Sequence, residues 1–146
     1  MEEAKCNFAL RAHPKTPCTT SPFTSFSRRA KPFRKKMDRF QLVDSAEPLF
    51  MPLVVLGELL KGALKSANPA KHRGRIAELL KVVAVVNPDT ATAENYAAIA
   101  SALEAKGEPI PENDVWIAAL ARELDMPLAA RDAHFDRVEG LTLLNW

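Results

Sequence analysis

The pattern of apolar and polar positions along the chain changes near residue 40. Residues 1–39 show no sustained period of two or of 3.6 residues, and serines, threonines and prolines interrupt their short apolar pieces. From Phe40 onward, apolar positions recur at the spacings typical of strands and helices. The sequence therefore predicts an unstructured leader over residues 1–39 and a folded domain over residues 40–146.

Predicted strands and helices alternate in the second region. Short apolar runs predict strands at 48–52, 81–86, 126–130 and 141–144. Between them we expect helices at 54–66, 70–80, 90–106 and 114–125. The apolar stripe expected on the first helix consists of Leu56, Leu59, Leu60, Ala63 and Leu64. This alternation predicts an α/β fold with a parallel sheet covered by helices on both faces.

Local signals mark the ends of the two later helices. Asp89 and Thr90 are expected to begin the third helix, because short polar side chains accept hydrogen bonds from the first free amides. Gly107 is expected to end that helix, since glycine adopts the left-handed conformation of a C-terminal cap at little cost. Asn113 is expected to cap the fourth helix.

Charge and cysteine content separate the two regions further. Residues 1–39 carry ten lysines and arginines against three acids, a net charge of +7, whereas residues 40–146 carry ten against fifteen, a net charge of −5. Both cysteines, Cys6 and Cys18, lie in the leader, which excludes a disulfide scaffold and a cysteine-based zinc site in the folded region and favours a reducing, intracellular setting. No apolar stretch approaches the roughly 18 residues that a membrane span needs, so no membrane partner is expected.

Three interpretations of the basic leader remain open. It could contact nucleic-acid phosphates, with Phe23, Phe26 and Phe33 stacking on bases. Its content of arginine, serine and threonine also resembles an organelle transit peptide. The third interpretation, a non-native leader from a misassigned start or a shifted reading frame, is favoured here because the charge pattern changes so abruptly.

Three carboxylates lie where the predicted elements begin or end, or interrupt an apolar run. Glu58 interrupts the run V-V-L-G-E-L-L, although an exposed pair with Lys61 would also explain it. Asp114 lies in the first turn of a helix, where a negative charge also complements the helix dipole. Asp132 follows a predicted strand, where an ordinary turn residue is an equal alternative. If the three converge, they would suit Mg²⁺ or Mn²⁺ and phosphodiester hydrolysis.

Other catalytic templates are missing from the sequence. No G-x-G-x-x-G, P-loop or G-x-S-x-G motif occurs. The histidines, His13, His72 and His134, are too scattered for a zinc triad. His134 is near an acid but is interpreted as a turn residue, and Asp136 ranks below the three carboxylates as a helper.

Three ordered segments resemble the PIN domain of VapC-type toxins: L-G-E-L-L-K-G-A (56–63), P-I-P-E-N-D-V-W-I-A-A (109–119) and P-L-A-A-R-D-A-H-F-D-R-V-E-G-L (127–141). The resemblance covers residues 40–146. It implies a three-layer α/β/α fold and a Mg²⁺-dependent (or Mn²⁺-dependent) endoribonuclease, a cytoplasmic hydrolase that acts on RNA. It also implies a small VapB-like antitoxin as partner and a homodimer.

By the same resemblance, Glu58, Asp114 and Asp132 are the second, third and fourth acids of the metal site, and so the catalytic residues. Asn113 and Arg131 are neighbours in the motif rather than ligands.

The chain departs from this family at its beginning. The family's first strand, ending in an L-L-D-T-N-like motif with the first acid, is missing, and Ala130 replaces a usual threonine or serine. Asp44 lies only 14 residues before Glu58, too close to be that acid. We therefore expect a fold without its first strand, and an upstream reading frame that encodes the strand. A catalytically inactive PIN relic that only binds an antitoxin or a sister subunit is the alternative function.

Overall fold

The computed structural model describes residues 9–11 and 49–144, so Asp44 and most of the predicted leader lie outside the described residues. The strands are β1 (Ala9–Arg11), β2 (Leu49–Pro52), β3 (Val83–Val86), β4 (Leu128–Ala129) and β5 (Leu143–Leu144). The α-helices are α1 (Leu53–Lys65), α2 (Pro69–Leu79), α3 (Thr90–Lys106) and α4 (Glu112–Glu123). A 3₁₀-helix, Ala133–Arg137, lies between β4 and β5 where the sequence predicts only a turn.

The strands form one sheet in the order β3-β2-β1-β4-β5. Strand β2 is parallel to β3, and β4 is parallel to β5, as the alternation of strands and helices predicts. Strand β1 is antiparallel to both of its neighbours, with Leu10 opposite Phe50 on one side and Leu128 on the other. The sheet is therefore parallel on both flanks and antiparallel at its centre.

The centre of the sheet differs from the expectation that this position is empty. Without a strand there, β2 and β4 would each leave a row of backbone N–H and C=O groups unpaired, which is costly inside a fold. Residues 9–11, part of the predicted leader, take up those hydrogen bonds. Because β1 is antiparallel, its last residue, Arg11, lies opposite Leu49 at the start of β2. Its carboxyl end thus faces the opposite edge from the one where α1 begins.

The core lies on both sides of the sheet. In β2, Leu49 and Met51 are buried and the alternate residue Phe50 packs against the same core, so both faces of this strand are covered. The parallel flanks explain this, since their crossover helices cover the sheet from above and below. Helix α4 is buried almost all round, with Ile117, Ala118, Ala119, Leu120 and Ala121 in the core.

Helices α3 and α4 are held together by specific contacts as well as by the core. Tyr96 and Trp116 stack with ring centroids 4.3 Å apart. The guanidinium of Arg122 donates to the side chain and to the backbone carbonyl of Asn95, at 2.8 and 3.1 Å. These contacts fix α4, the helix that carries Asp114, against the rest of the fold.

The predicted ends of α3 are confirmed. The carboxylate of Asp89 accepts from the amides of Ala91 and Thr92, and the Thr92 hydroxyl accepts from the Asp89 amide. Gly107 adopts a left-handed conformation, with φ of 70°, and ends the helix. In the described part of the chain, no helix is long and apolar enough to cross a membrane.

The stripe predicted on α1 is partly wrong. The helix buries Val55 and Ala63, whereas Leu60 and Leu64 are exposed. The sheet and α4 cover only one side of α1, and the leucines continue beyond that side. Among the described residues, an apolar outer face of α1 is exposed, formed by Leu53, Gly57, Leu60 and Leu64.

Candidate metal centre

The three predicted acids line one open cleft of about 530 Å³. Glu58 lies on one wall, on α1, while Asp114 is in the first turn of α4 and Asp132 follows β4. The full set of lining residues is Glu58, Pro111, Glu112, Asn113, Asp114, Asp132 and His134. The structure therefore brings the predicted carboxylates together, although their roles remain a prediction.

Asp114 is the most buried of these acids, with 9% of the residue exposed. The loop ending in Pro111 turns the chain into α4, and the Asp114 amide donates to the Pro111 carbonyl at 2.9 Å. Burial raises the pKa of Asp114 above its ordinary value, and the nearby carboxylates of Asp132 and Glu58 act in the same direction. The hydrogen bond to His134 and the charge of that ring oppose the increase.

Asn113 does not cap α4 as predicted. Helix α4 begins at Glu112, with Pro111 in the cap position and no side-chain cap hydrogen bond. Proline fixes the backbone of the loop just before the helix, which explains why the helix begins before Asn113. The Asn113 side chain is thereby free of the capping role and donates its amide to Glu58 Oε1, at 2.7 Å.

Glu58 is exposed and reaches the cleft from α1. The alternative of a surface pair with Lys61 is not what the described residues show, because the hydrogen bond of Glu58 is to Asn113. This bond joins α1 to α4 across the cleft. Because Asn113 is adjacent to Asp114 in α4, the bond keeps the Glu58 carboxylate in the cleft that Asp114 lines.

Asp132 owes its orientation to the short helix that follows β4. Its Oδ1 accepts from the backbone N–H of His134 at 3.0 Å and so caps the 3₁₀-helix. The next residue, Phe135, is completely buried and anchors this helix in the core. The carboxylate of Asp132 is therefore held by the turn that follows the strand.

His134 is the functional candidate that the sequence reasoning missed. Its Nδ1 lies 3.2 Å from Asp114 Oδ2 and 3.0 Å from Asp132 Oδ1. Twenty residues separate His134 from Asp114, so no local spacing reveals the contact. The sequence does place His134 two residues after Asp132, but this spacing is also typical of an ordinary turn. Asp136, Arg131 and Ala130 do not line the cleft.

The donor set fits a divalent cation. Asp114, Asp132 and His134 each offer a ligand atom, and these atoms lie within 4.8 Å of one another. Two carboxylates this close repel each other unless a positive charge lies between them. Carboxylate oxygens suit hard cations such as Mg²⁺ and Mn²⁺.

Comparison with known proteins gives a consistent result. The PIN domain family matches residues 20–141. Ribonuclease VapC1 of Haemophilus influenzae strain R2866 is 32% identical over 99 residues, which are 67% of this chain and 74% of the relative.

Solved structures agree with the sequence comparison. VapBC2 from Rickettsia felis, bound to a DNA fragment from its promoter, is similar with a TM-score of 0.69 at 25% identity, over 75% of this chain and 83% of that one. VapBC-1 from nontypeable Haemophilus influenzae is similar with a TM-score of 0.65 at 32% identity, over 68% of this chain and 75% of that one. These similarities agree with the three-layer α/β/α fold and with the ordered motifs. The chain therefore belongs to the PIN domain family.

Proposed function

We propose that this protein is a divalent-metal-dependent endoribonuclease, the toxin of a VapBC-like toxin–antitoxin pair in the cytoplasm. One observation carries the proposal. The carboxylates of Glu58, Asp114 and Asp132, from three separate elements, line a single open cleft in a PIN-family chain. The name of the relative, Ribonuclease VapC1, supports RNA as the substrate.

Each acid has a distinct task in this proposal. The buried Asp114 and the exposed Asp132 offer oxygens on the same side of the cleft as His134 and would hold Mg²⁺ or Mn²⁺. Glu58 completes the negative wall opposite, and the amide of Asn113 keeps its carboxylate turned toward the cleft. A cation bound there polarises a phosphodiester and makes water a better nucleophile.

The shape of the cleft suits a polymer. It is open to solvent, so a phosphodiester in the middle of a strand can enter without threading an end. Glu112 adds a further carboxylate to the lining. Because these negative charges repel a phosphate, a bound cation is needed to neutralise them before a phosphate approaches.

The partner that we propose is a small VapB-like antitoxin that covers the outer face of α1. Large exposed apolar patches are uncommon on chains that remain alone in solution. Leu53, Leu60 and Leu64 share one side of the helix, and Leu64 is 65% exposed. The structural relatives are VapBC complexes, which supports an antitoxin as the occupant. A homodimer is proposed in addition.

A specific observation favours a second function, a catalytically inactive PIN relic that only binds its antitoxin or a sister subunit. The resemblance places the family's first acid at the carboxyl end of the central strand. Here β1 runs antiparallel to β2 and ends in Arg11 at the opposite edge of the sheet. Among the described residues, the central strand therefore supplies no acid to the cleft.

An RNA cleavage assay distinguishes the two functions. Purified chain is incubated with a structured RNA in Mg²⁺, in Mn²⁺ and in EDTA, beside the Asp114→Asn variant. Internal cleavage that needs the cation and Asp114 is expected. If the chain cleaves nothing while a version given an authentic PIN first strand does, the enzymatic proposal fails for this chain and the relic remains.

The partner is tested independently of catalysis. The neighbouring gene's product is co-purified with the chain, and the mass of the complex is measured by light scattering with and without Leu64→Glu. We expect a complex that this charge on the outer face of α1 disrupts. If the complex is unaffected, the antitoxin binds elsewhere, and if no complex forms, the relic function fails too.

A further inference from the structure

We propose that His134 is a ligand of the cation in this cleft, so that the site is a mixed carboxylate–imidazole centre that prefers Mn²⁺ to Mg²⁺. The inference rests on the metal-dependent function proposed above and specifies which ion that site takes. None of the residues assigned by the family motif is a histidine.

The first support is the spacing of the donor atoms. His134 Nδ1 is 3.0 Å from Asp132 Oδ1 and 3.2 Å from Asp114 Oδ2. Adjacent ligands of an octahedral ion bound at about 2.1 Å lie about 3 Å apart. Both carboxylate oxygens therefore already lie at the distance of a neighbouring ligand from Nδ1, and all three donor atoms lie within 4.8 Å of one another.

The second support is the way the backbone fixes the imidazole. Asp132 accepts from the His134 amide, and Phe135 is buried in the core directly after it. The backbone at His134 is thus fixed on both sides, which limits the positions that the imidazole can take. Glu58 lies in the same cleft but outside the tight group of Asp114, Asp132 and His134, and its carboxylate bonds to Asn113.

The choice of ion follows from ligand chemistry. Mg²⁺ takes oxygen ligands almost exclusively and gives up its waters reluctantly. Imidazole nitrogen binds first-row transition ions well, and Mn²⁺ accepts carboxylate oxygen and imidazole nitrogen together. Replacing one oxygen position by Nδ1 therefore lowers the affinity for Mg²⁺ relative to Mn²⁺.

A positioning role is the competing explanation. The Nδ1–H of His134 could donate to the two carboxylates and orient them without touching the ion. His134→Asn separates the two roles, because its side-chain amide can still donate near the position of Nδ1 but offers no imidazole nitrogen. His72→Asn is the matched control, since His72 lies on α2 and does not line the cleft.

The experiment measures Mn²⁺ bound to the full-length, tag-free chain by electron paramagnetic resonance, with ¹⁴N modulation of the spin echo as the readout. The wild-type chain and His72→Asn should show an imidazole ¹⁴N signal from bound Mn²⁺, and His134→Asn should lose it. His134→Asn should also bind Mn²⁺ about tenfold more weakly. Its affinity for Mg²⁺, measured by competition, should change much less.

The outcomes separate this inference from the function on which it rests. Mn²⁺ bound without ¹⁴N modulation, or with a signal that survives His134→Asn, overturns ligation by His134 and leaves the metal-dependent nuclease standing. Equal affinities of wild type and His134→Asn for both ions also overturn it. If the wild-type chain binds neither ion, the ligand inference and the metal-dependent function both fail.

Discussion

The two helices that carry acids to the cleft are held in opposite ways. Helix α4 is buried on nearly every side, and its Asp114 is buried with it. Helix α1 buries only Val55 and Ala63, and its Glu58 is exposed. Helix α4 is thus part of the core and carries its acid there, whereas α1 keeps an apolar outer face exposed among the described residues.

The largest effect should come from neutralising one acid on each helix. Glu58→Gln and Asp114→Asn should each abolish RNA cleavage, since each removes a charge that a hard cation needs. Glu58→Gln should leave the free energy of unfolding unchanged within about 0.5 kcal/mol, because Glu58 is exposed. Cleavage rates and urea unfolding measure the two effects, with the exposed Glu94→Gln on α3 as control. If Glu58→Gln still cleaved RNA, α1 would contribute no catalytic acid.

The difference in burial predicts a difference in stability. Ile117→Ala on α4, at a residue with no exposed surface, should lower the free energy of unfolding by about 2–5 kcal/mol. Leu64→Ala on α1 should change it by less than about 0.5 kcal/mol, because most of Leu64 already faces water. Chemical unfolding of the two variants gives both numbers. Equal losses would show that the outer face of α1 is covered in the isolated chain.

These contrasts also show what the sequence could predict. Helix α3 is predictable from end to end, because Asp89, Thr90 and Gly107 signal its ends in the local sequence. The convergence of Glu58, Asp114 and Asp132 is predictable because the order of elements determines which ends meet at one edge.

What the sequence could not predict depends on long-range pairing. The place of residues 9–11 at the centre of the sheet is decided by the free edges of β2 and β4, which the local sequence of β1 does not reveal. The predicted stripe on α1 is correct for Leu56, Leu59 and Ala63 but not for Leu60 and Leu64, since the packed neighbours determine how much of the stripe is buried. His134 meets Asp114 through the tertiary fold alone.

The hydrogen bond between the two helices offers the next test. Asn113→Ala removes the donor that holds the Glu58 carboxylate, at 2.7 Å, on the cleft side. We expect cleavage to slow by about 10–100-fold, the usual cost of losing a group that orients a metal ligand. Asn87→Ala, at an exposed asparagine outside the cleft, is the matched control. A rate equal to that of the control would mean that Glu58 finds its position unaided.

The burial of Asp114 predicts a pH dependence of stability. Its pKa is raised in the folded state, so the folded chain binds more protons than the unfolded chain as the pH rises above 3.8, and stability falls over that range. In EDTA at pH 7, Asp114→Asn should therefore be more stable than wild type, because the variant has no charge to bury. The difference should vanish below pH 3.8, where the wild-type side chain is also neutral. Asp136→Asn, an exposed neighbour of the site, is the control, and a destabilised Asp114→Asn would contradict the argument.

The smallest expected effect concerns Gly57, in the middle of the outer face of α1. Glycine inside a helix costs about 0.5–1 kcal/mol relative to alanine, and among the described residues nothing lies within 4 Å of a Cβ added there. The packing of the described residues therefore gives no reason for a glycine. Close approach of a partner's backbone to α1 would be such a reason, which agrees with an antitoxin on this face.

Gly57→Ala should accordingly stabilise the isolated chain by about 0.5–1 kcal/mol and weaken its complex with the antitoxin. Gly74→Ala on α2 is the matched control, because a Cβ at Gly74 also meets open space but lies off the outer face of α1. Thermal unfolding measures the first effect, and titration of the antitoxin measures the second. Both alanine variants should be stabilised, and only Gly57→Ala should lose affinity. If the two variants bind the antitoxin equally well, the partner does not approach α1 at Gly57. The two acid-bearing helices would then differ in burial but not in binding of a partner at that position.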